Sequence, residues 1–100
     1  VIIQDDAFEA TASVTVCALT SHSGHGPLLR PLVAPNAENG LLQESALMVD
    51  KIATMPRAKL GRRIGRLGDE DMRRLGEALF VFLGLAAPPA RRKRIASERE

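Results

Sequence analysis

The apolar pattern changes period once along the chain. Up to about residue 67 the apolar residues come in short runs of strand length, and beyond it they recur at helical spacing. The run Val1-Ile2-Ile3 ends with Gln4 before Asp5-Asp6, as a short buried strand would. Ser13 to Thr20 is rich in β-branched residues, with Val14, Val16 and Ala18 on one face and Thr15, Cys17 and Leu19 on the other. Both faces are mostly apolar, which predicts a central strand. Leu28 to Ala34 is a further candidate, with Pro31 suited to an edge or a bulge. Ser45 to Val49 is another, ending at Asp50-Lys51, and Ile52 to Met55 continues it or pairs with it. Gly61 to Leu67, with Ile64 and Leu67 set among arginines, reads as a last, basic strand.

Between these runs stand turn chemistries. Residues 21–27 form a loop by composition, and 35–40 a turn in which Asn39-Gly40 favours positive φ. Residues 56–60 make a turn or a single helical turn. A helix is predicted over Asp69 to Leu85, opened by Asp69, Glu70 and Asp71 at the positive end of its dipole. Met72, Leu75, Leu79, Phe82 and Leu83 fall near one stripe suited to core packing, while Arg73, Arg74 and Glu77 face away. Pro88-Pro89 ends the ordered part, and the Arg91–Arg94 cluster leads into a charged tail expected to be disordered. Short strands followed by one helix predict an α+β, mainly β domain, or a small barrel.

Composition narrows the picture. A chain of 100 residues forms one small domain and buries about 60–65% of the surface its unfolded form exposes. With three Phe and no Trp or Tyr, its core is aliphatic and leaves room for a partner subunit. Cys17 is the only cysteine, so no intramolecular disulfide forms, and its apolar run makes it a small buried hydrophobe. That usage fits a reducing cytoplasm. No apolar stretch approaches the roughly 18–20 residues of a membrane span, and no signal peptide opens the chain, so a soluble cytoplasmic protein is expected.

Charge is unevenly distributed. Residues 1–50 carry six acids against one base, Arg30, and residues 51–100 carry thirteen bases against six acids. From Lys51 to Arg66 there are six bases and no acid, a segment able to face a polyanion or simply water. His22 and His25 lack the further ligands a zinc site needs, no nucleophile elbow surrounds Ser21 or Ser23, and Gly61-Arg-Arg-Ile-Gly65 lacks the ending of a phosphate loop. No metal or cofactor is expected. Composition and spacing alone stop at a small domain with a basic second half.

Four segments, in order, resemble the MazF/PemK family. Val1-Ile-Ile-Gln-Asp-Asp6 is similar to the strand after that family's Arg-Pro dipeptide, and Val14-Thr-Val-Cys-Ala-Leu-Thr-Ser21 to its central strand, which ends in a functional Thr. Gly40-Leu-Leu-Gln-Glu-Ser-Ala-Leu-Met-Val-Asp-Lys-Ile-Ala-Thr54 is similar to its most typical stretch, and Leu60 to Met72 to its last strand and helix start. The resemblance covers about residues 1–86 and leaves 87–100 as the tail. It implies a strongly curved SH3-like or CcdB-like sheet, a partial barrel, with a C-terminal helix, assembled as a homodimer. It also implies the toxin of a type II toxin–antitoxin system, blocked by a cognate antitoxin. Such a toxin is a metal-independent endoribonuclease that cleaves single-stranded RNA at short sequences through the ribose 2′-OH. The products are a 2′,3′-cyclic phosphate and a 5′-OH.

Carried residue by residue, the resemblance makes Thr20 the active-site Thr and Asp50 a candidate catalytic acid. Ser21, His22, Arg30 and Lys51 become candidate RNA contacts, Lys51 standing where the family often has Gln. The family's first strand and catalytic Arg would precede Val1. The numbered chain is therefore expected to lack about 20–30 residues of the usual domain and to be inactive by itself. Two alternatives stay open. A CcdB-like gyrase inhibitor shares the fold but relies on a C-terminal Trp absent here, and a non-catalytic nucleic-acid-binding module would bind RNA and DNA alike in a salt-sensitive way.

Overall fold

The computed structural model describes residues 1–21 and 30–85. Its regular elements are β1 (Ser13–Thr20), β2 (Leu32–Val33), β3 (Ser45–Pro56) and α1 (Asp69–Phe82), with single 3-10 turns at Asp6–Phe8 and Arg57–Lys59. The strands form an antiparallel sheet in the order β1-β3-β2. An antiparallel open sheet with one C-terminal helix is the α+β, mainly β architecture that the apolar pattern predicts.

β3 is the middle strand and changes character along its length. Ser45, Ala46, Leu47 and Val49 are buried, whereas nothing from Lys51 to Pro56 is. The expected stop at Asp50-Lys51 does not occur. The strand runs through these residues, so Ile52 to Met55 continues it. Its register against β1 nevertheless breaks there. Cys17 pairs with Ile52 but Leu19 pairs with Leu47, so Ala18 alone faces residues 48–51. The surplus length is absorbed as a bulge, which lets a polar pair of residues sit inside a strand without entering the core.

β1 lies between β3 and the start of the chain, consistent with a strand apolar on both faces. Val14 and Cys17, on opposite faces by alternation, are both fully buried. Val1 and Cys17 exchange N–H···O bonds of 2.7 Å, and Ile3 N donates to Thr15 O. The strand expected over Val1 to Gln4 shrinks to a single bridge, Ile2 to Val16. The Gln4 side-chain oxygen takes the Thr15 N–H in place of a further ladder bond.

Three other expectations change. Of Leu28 to Ala34, only Leu32–Val33 is strand among the described residues. Gly61 to Leu67 is not a strand: it touches the 36–40 turn, which offers one bond, Arg66 N to Glu38 O at 2.8 Å, rather than a ladder. The helix ends at Phe82 instead of Leu85, because Gly84 turns to φ 74°. Its N–H bonds Val81 O and that of Leu85 bonds Phe80 O, the paired closure that terminates a helix at a left-handed glycine.

The core is aliphatic, as composition requires: Cys17, Val33, Leu47, Val49, Leu67, Leu75 and Ala78, with Leu19, Ile52 and Leu79 packed against it. Of the expected helix stripe, Leu75 is buried and Leu79 packs on the core, but Met72, Phe82 and Leu83 are exposed, as are Phe80 and Val81. The helix buries Leu75 and Ala78 in the core. Its opposite face is tied by Arg73 to Glu70 and Glu77. The expected disorder of residues 87–100 lies outside the described residues.

Candidate functional site

β3 brings the candidate residues together because both of its neighbours pair with the same part of it. Thr20 ends β1 opposite Ala46, and Leu32 begins β2 opposite Ala46 from the other side. Pro31 extends that pairing through its carbonyl, which accepts Leu47 N at 2.9 Å. Thr20 and Arg30 therefore flank the start of β3, and Asp50 and Lys51 stand in the bulge a few residues on.

Arg30 and Asp50 form a two-pronged ion pair. Nε donates to Oδ1 at 3.0 Å and Nη2 to Oδ2 at 3.1 Å, with 11% of the arginine and 28% of the aspartate side chain exposed. The fork geometry of arginine fits a carboxylate in this manner. Donation from Arg30 holds the Asp50 carboxyl below the usual carboxylate range, with Lys51 adding to the effect, and the Arg30 guanidinium is raised in turn. Lys51 is exposed and pairs with no carboxylate among the described residues. Thr20 is half-buried and Ser21 exposed. His22 lies outside the described residues.

Within the sheet below, burial pushes the Cys17 thiol up, in keeping with its reading as an inert core residue. Among the described residues no three His, Cys, Asp or Glu side chains gather as a metal site, and no helix is long and apolar enough to cross a membrane.

The basic segment beyond β3 divides by partner. Arg57 donates to the Thr11 carbonyl, and Arg66 pairs with Glu38 and Asp69, while Arg62 and Arg63 border a cavity of about 560 Å³ next to Ser45. Those two arginines are not singled out by the sequence, where they are two bases among six. The signal that separates them is their neighbour Gly65, placed to let one backbone cross another.

Residues 1–83 match the model of the PemK-like, MazF-like toxins of type II toxin–antitoxin systems. A probable endoribonuclease MazF of Mycolicibacterium smegmatis is 52% identical over 85 residues, covering 85% of this chain and 78% of that protein. The Mycobacterium tuberculosis toxin MazF-mt6 superposes with a TM-score of 0.73 at 30% identity, covering 83% of this chain and 82% of its own. An endoribonuclease from a mycobacterial species, solved in complex with its cognate antitoxin, gives a TM-score of 0.70 at 27% identity, covering 88% and 82%. With residues 1–83 matched by that family's model and a relative 52% identical over 85 residues, the chain belongs to the PemK-like, MazF-like toxins of type II toxin–antitoxin systems.

Proposed function

We propose that the end of β1 and the bulge of β3 form the cleavage site of a MazF-like endoribonuclease acting on single-stranded RNA. The observation that carries this reading is the convergence of Thr20 and the Arg30–Asp50 pair on one stretch of β3. In the reaction the ribose 2′-OH attacks the adjacent phosphorus, giving up its proton to solvent, and the bond to the 5′ oxygen breaks as that oxygen takes a proton from solvent. A 2′,3′-cyclic phosphate and a 5′-OH result, without a metal ion. The Thr20 hydroxyl donates to a non-bridging phosphate oxygen as charge grows there. Asp50, held ionised by its partner, is a weak proton acceptor near neutral pH, so it serves by fixing Arg30, whose cation faces the phosphate. Ser21 and Lys51, both exposed, contact the strand on either side, with His22, next to Ser21 in sequence, a further contact.

The same reading includes a homodimer, a cognate antitoxin that covers the RNA site, and action in the cytoplasm. Exposed Phe80, Val81, Phe82, Leu83 and Leu85 on the helix end supply an apolar surface for assembly, and one structural relative is solved with its own antitoxin.

The test is incubation with a long single-stranded RNA in EDTA, with the cuts mapped by primer extension. Cuts at a recurring short motif, ending in cyclic phosphate, are expected of the chain with the family's first strand and Arg-Pro segment placed ahead of Val1. An intact RNA together with an inhibited gyrase would favour the CcdB-like alternative. Salt-sensitive binding of RNA and DNA without cuts would favour a binding module.

A further inference from the structure

The segment that reads as a strand in sequence serves instead as one wall of a pocket. Residues 64–65 cross the 38–40 turn at backbone contact. A Cβ on Gly40 would fall 2.0 Å from the Ile64 carbonyl oxygen, and one on Gly65 would fall 2.4 Å from the Asn39 carbonyl carbon. The turn itself is fixed by the buried Asn39, whose side chain donates to Ala34 O and accepts from Asn36 N and Leu41 N. Arg62 and Arg63 directly precede this crossing, and Arg63 Nε donates to the Gly65 carbonyl at 3.4 Å.

The pocket beside this crossing, about 560 Å³, falls in the range of small-ligand sites, roughly 300–1,000 Å³. Arg62, Arg63 and Ile64 line it together with Gly40, Leu42 and Ser45. Among the described residues no acid lines it, and neither arginine pairs with a carboxylate. Arg66, close by in sequence, is by contrast already engaged by Glu38 and Asp69. Leu42 is 99% exposed and Ile64 59%, so an apolar lip stands beside two guanidinium groups. That combination suits a ligand with both an anionic and a flat apolar part. Ser45 directly precedes Ala46, the partner of Thr20, so the pocket begins about 3.3 Å of strand rise from the register position of Thr20.

We propose that this pocket is a second nucleotide subsite, holding a phosphate of the RNA strand between Arg62 and Arg63 and the attached base against Leu42 and Ile64. The proposal rests on the RNA-cleaving reading and names where the strand is held beyond the scissile bond. Binding is to be followed by fluorescence anisotropy with randomised RNA 12-mers, 2′-O-methylated so that no 2′-OH is free to attack. The Arg62→Ala/Arg63→Ala variant is expected to bind about tenfold more weakly. Its log affinity against log salt should flatten by about 0.7 for each phosphate that is no longer neutralised, the increment for a single strand. The Arg62→Lys/Arg63→Lys variant is expected to keep the wild-type slope, which separates a loss of charge from a loss of fold. Wild-type affinity and slope in the alanine variant would overturn the subsite, as would an alanine variant impaired only toward a protein partner. A chain with the family's first strand and Arg-Pro segment placed ahead of Val1 that binds these 12-mers but cleaves no RNA would sink the nuclease reading and leave the subsite to be judged by the slope. A wild-type chain that binds no RNA sinks both.

Discussion

Arg30 and Asp50, twenty positions apart in sequence, meet across the β2–β3 edge with both carboxylate oxygens engaged. Leu32 pairs with Ala46 in the antiparallel β2–β3 ladder, which brings Arg30, two residues before Leu32, toward the part of β3 that carries Asp50. Asp50→Asn is expected to lower the thermal midpoint and to cut RNA cleavage by about 10²-fold, the cost of a mispositioned cation. Arg30→Ala should do the same. The double variant should be little worse than either single one, because the two act as a unit. Additive losses in such a cycle would show that the residues work separately.

The pH dependence has a definite sign. The folded state holds Asp50 below its ordinary value of 3.8, so the pair's contribution to stability is fully present above that value and is lost as pH falls below it. Thermal melts of the wild type and Asp50→Asn should therefore differ by a constant amount from pH 5 to 8 and converge in stronger acid. A gap that closes near neutral pH would contradict the pairing.

At Thr20 the hydroxyl is expected to matter more than the side-chain volume. Thr20→Val keeps the branched shape that suits a strand end. It should fold normally and lose about 10²–10³ in kcat, as when one donor to a developing oxyanion is removed. Thr20→Ser should recover most of the rate. Equal loss in both variants would point to packing.

Gly40→Ala tests the crossing of the two segments. The substitution forces an L side chain to φ 68° and places its Cβ against the Ile64 carbonyl. The left-handed backbone alone costs about 1–2 kcal/mol, and the collision adds to it. Urea denaturation should report at least that loss. Unchanged stability would mean that the crossing opens in solution.

Leu47 is fully buried at the centre of the core cluster. Leu47→Ala is expected to destabilise by about 2–5 kcal/mol, read from the same denaturation curves with an unchanged m-value. A small shift would mean that neighbouring side chains collapse into the space.

What the sequence conveyed best was local. Ser13–Thr20 is the observed β1 residue for residue, because period-two alternation and β-branching depend only on neighbours. The Asn39-Gly40 turn is found with its positive φ, as its own chemistry dictates. The misjudged elements depend on what lies across from them. Gly61 to Leu67 has strand-like composition but meets a turn and not a strand, and the helix stops where a single glycine reverses the backbone. Candidate site residues were found through the family pattern, since no local signal marks Thr20 or Asp50. Their mutual geometry was not legible. Pairing of Arg30 with Asp50 depends on how β2 is laid against β3, with Leu32 opposite Ala46, and a register is a property of two strands together.

The register break between β1 and β3 also divides the sheet mechanically. On the far side of residues 48–51, β1 and β3 continue as a ribbon from Cys17–Ile52 out to Ser13–Pro56 that keeps Val14 and Cys17 buried on β1 but no residue buried on β3 from Lys51 to Pro56, while on the near side Leu47 and Val49 are locked in the core. Amide exchange should be fast in the outer ribbon and slow from Ala46 to Val49, in two separate cooperative units. Fraying that begins at the outer tip then halts at the bulge, and the strand positions beside Thr20 keep their geometry while the ribbon opens and closes.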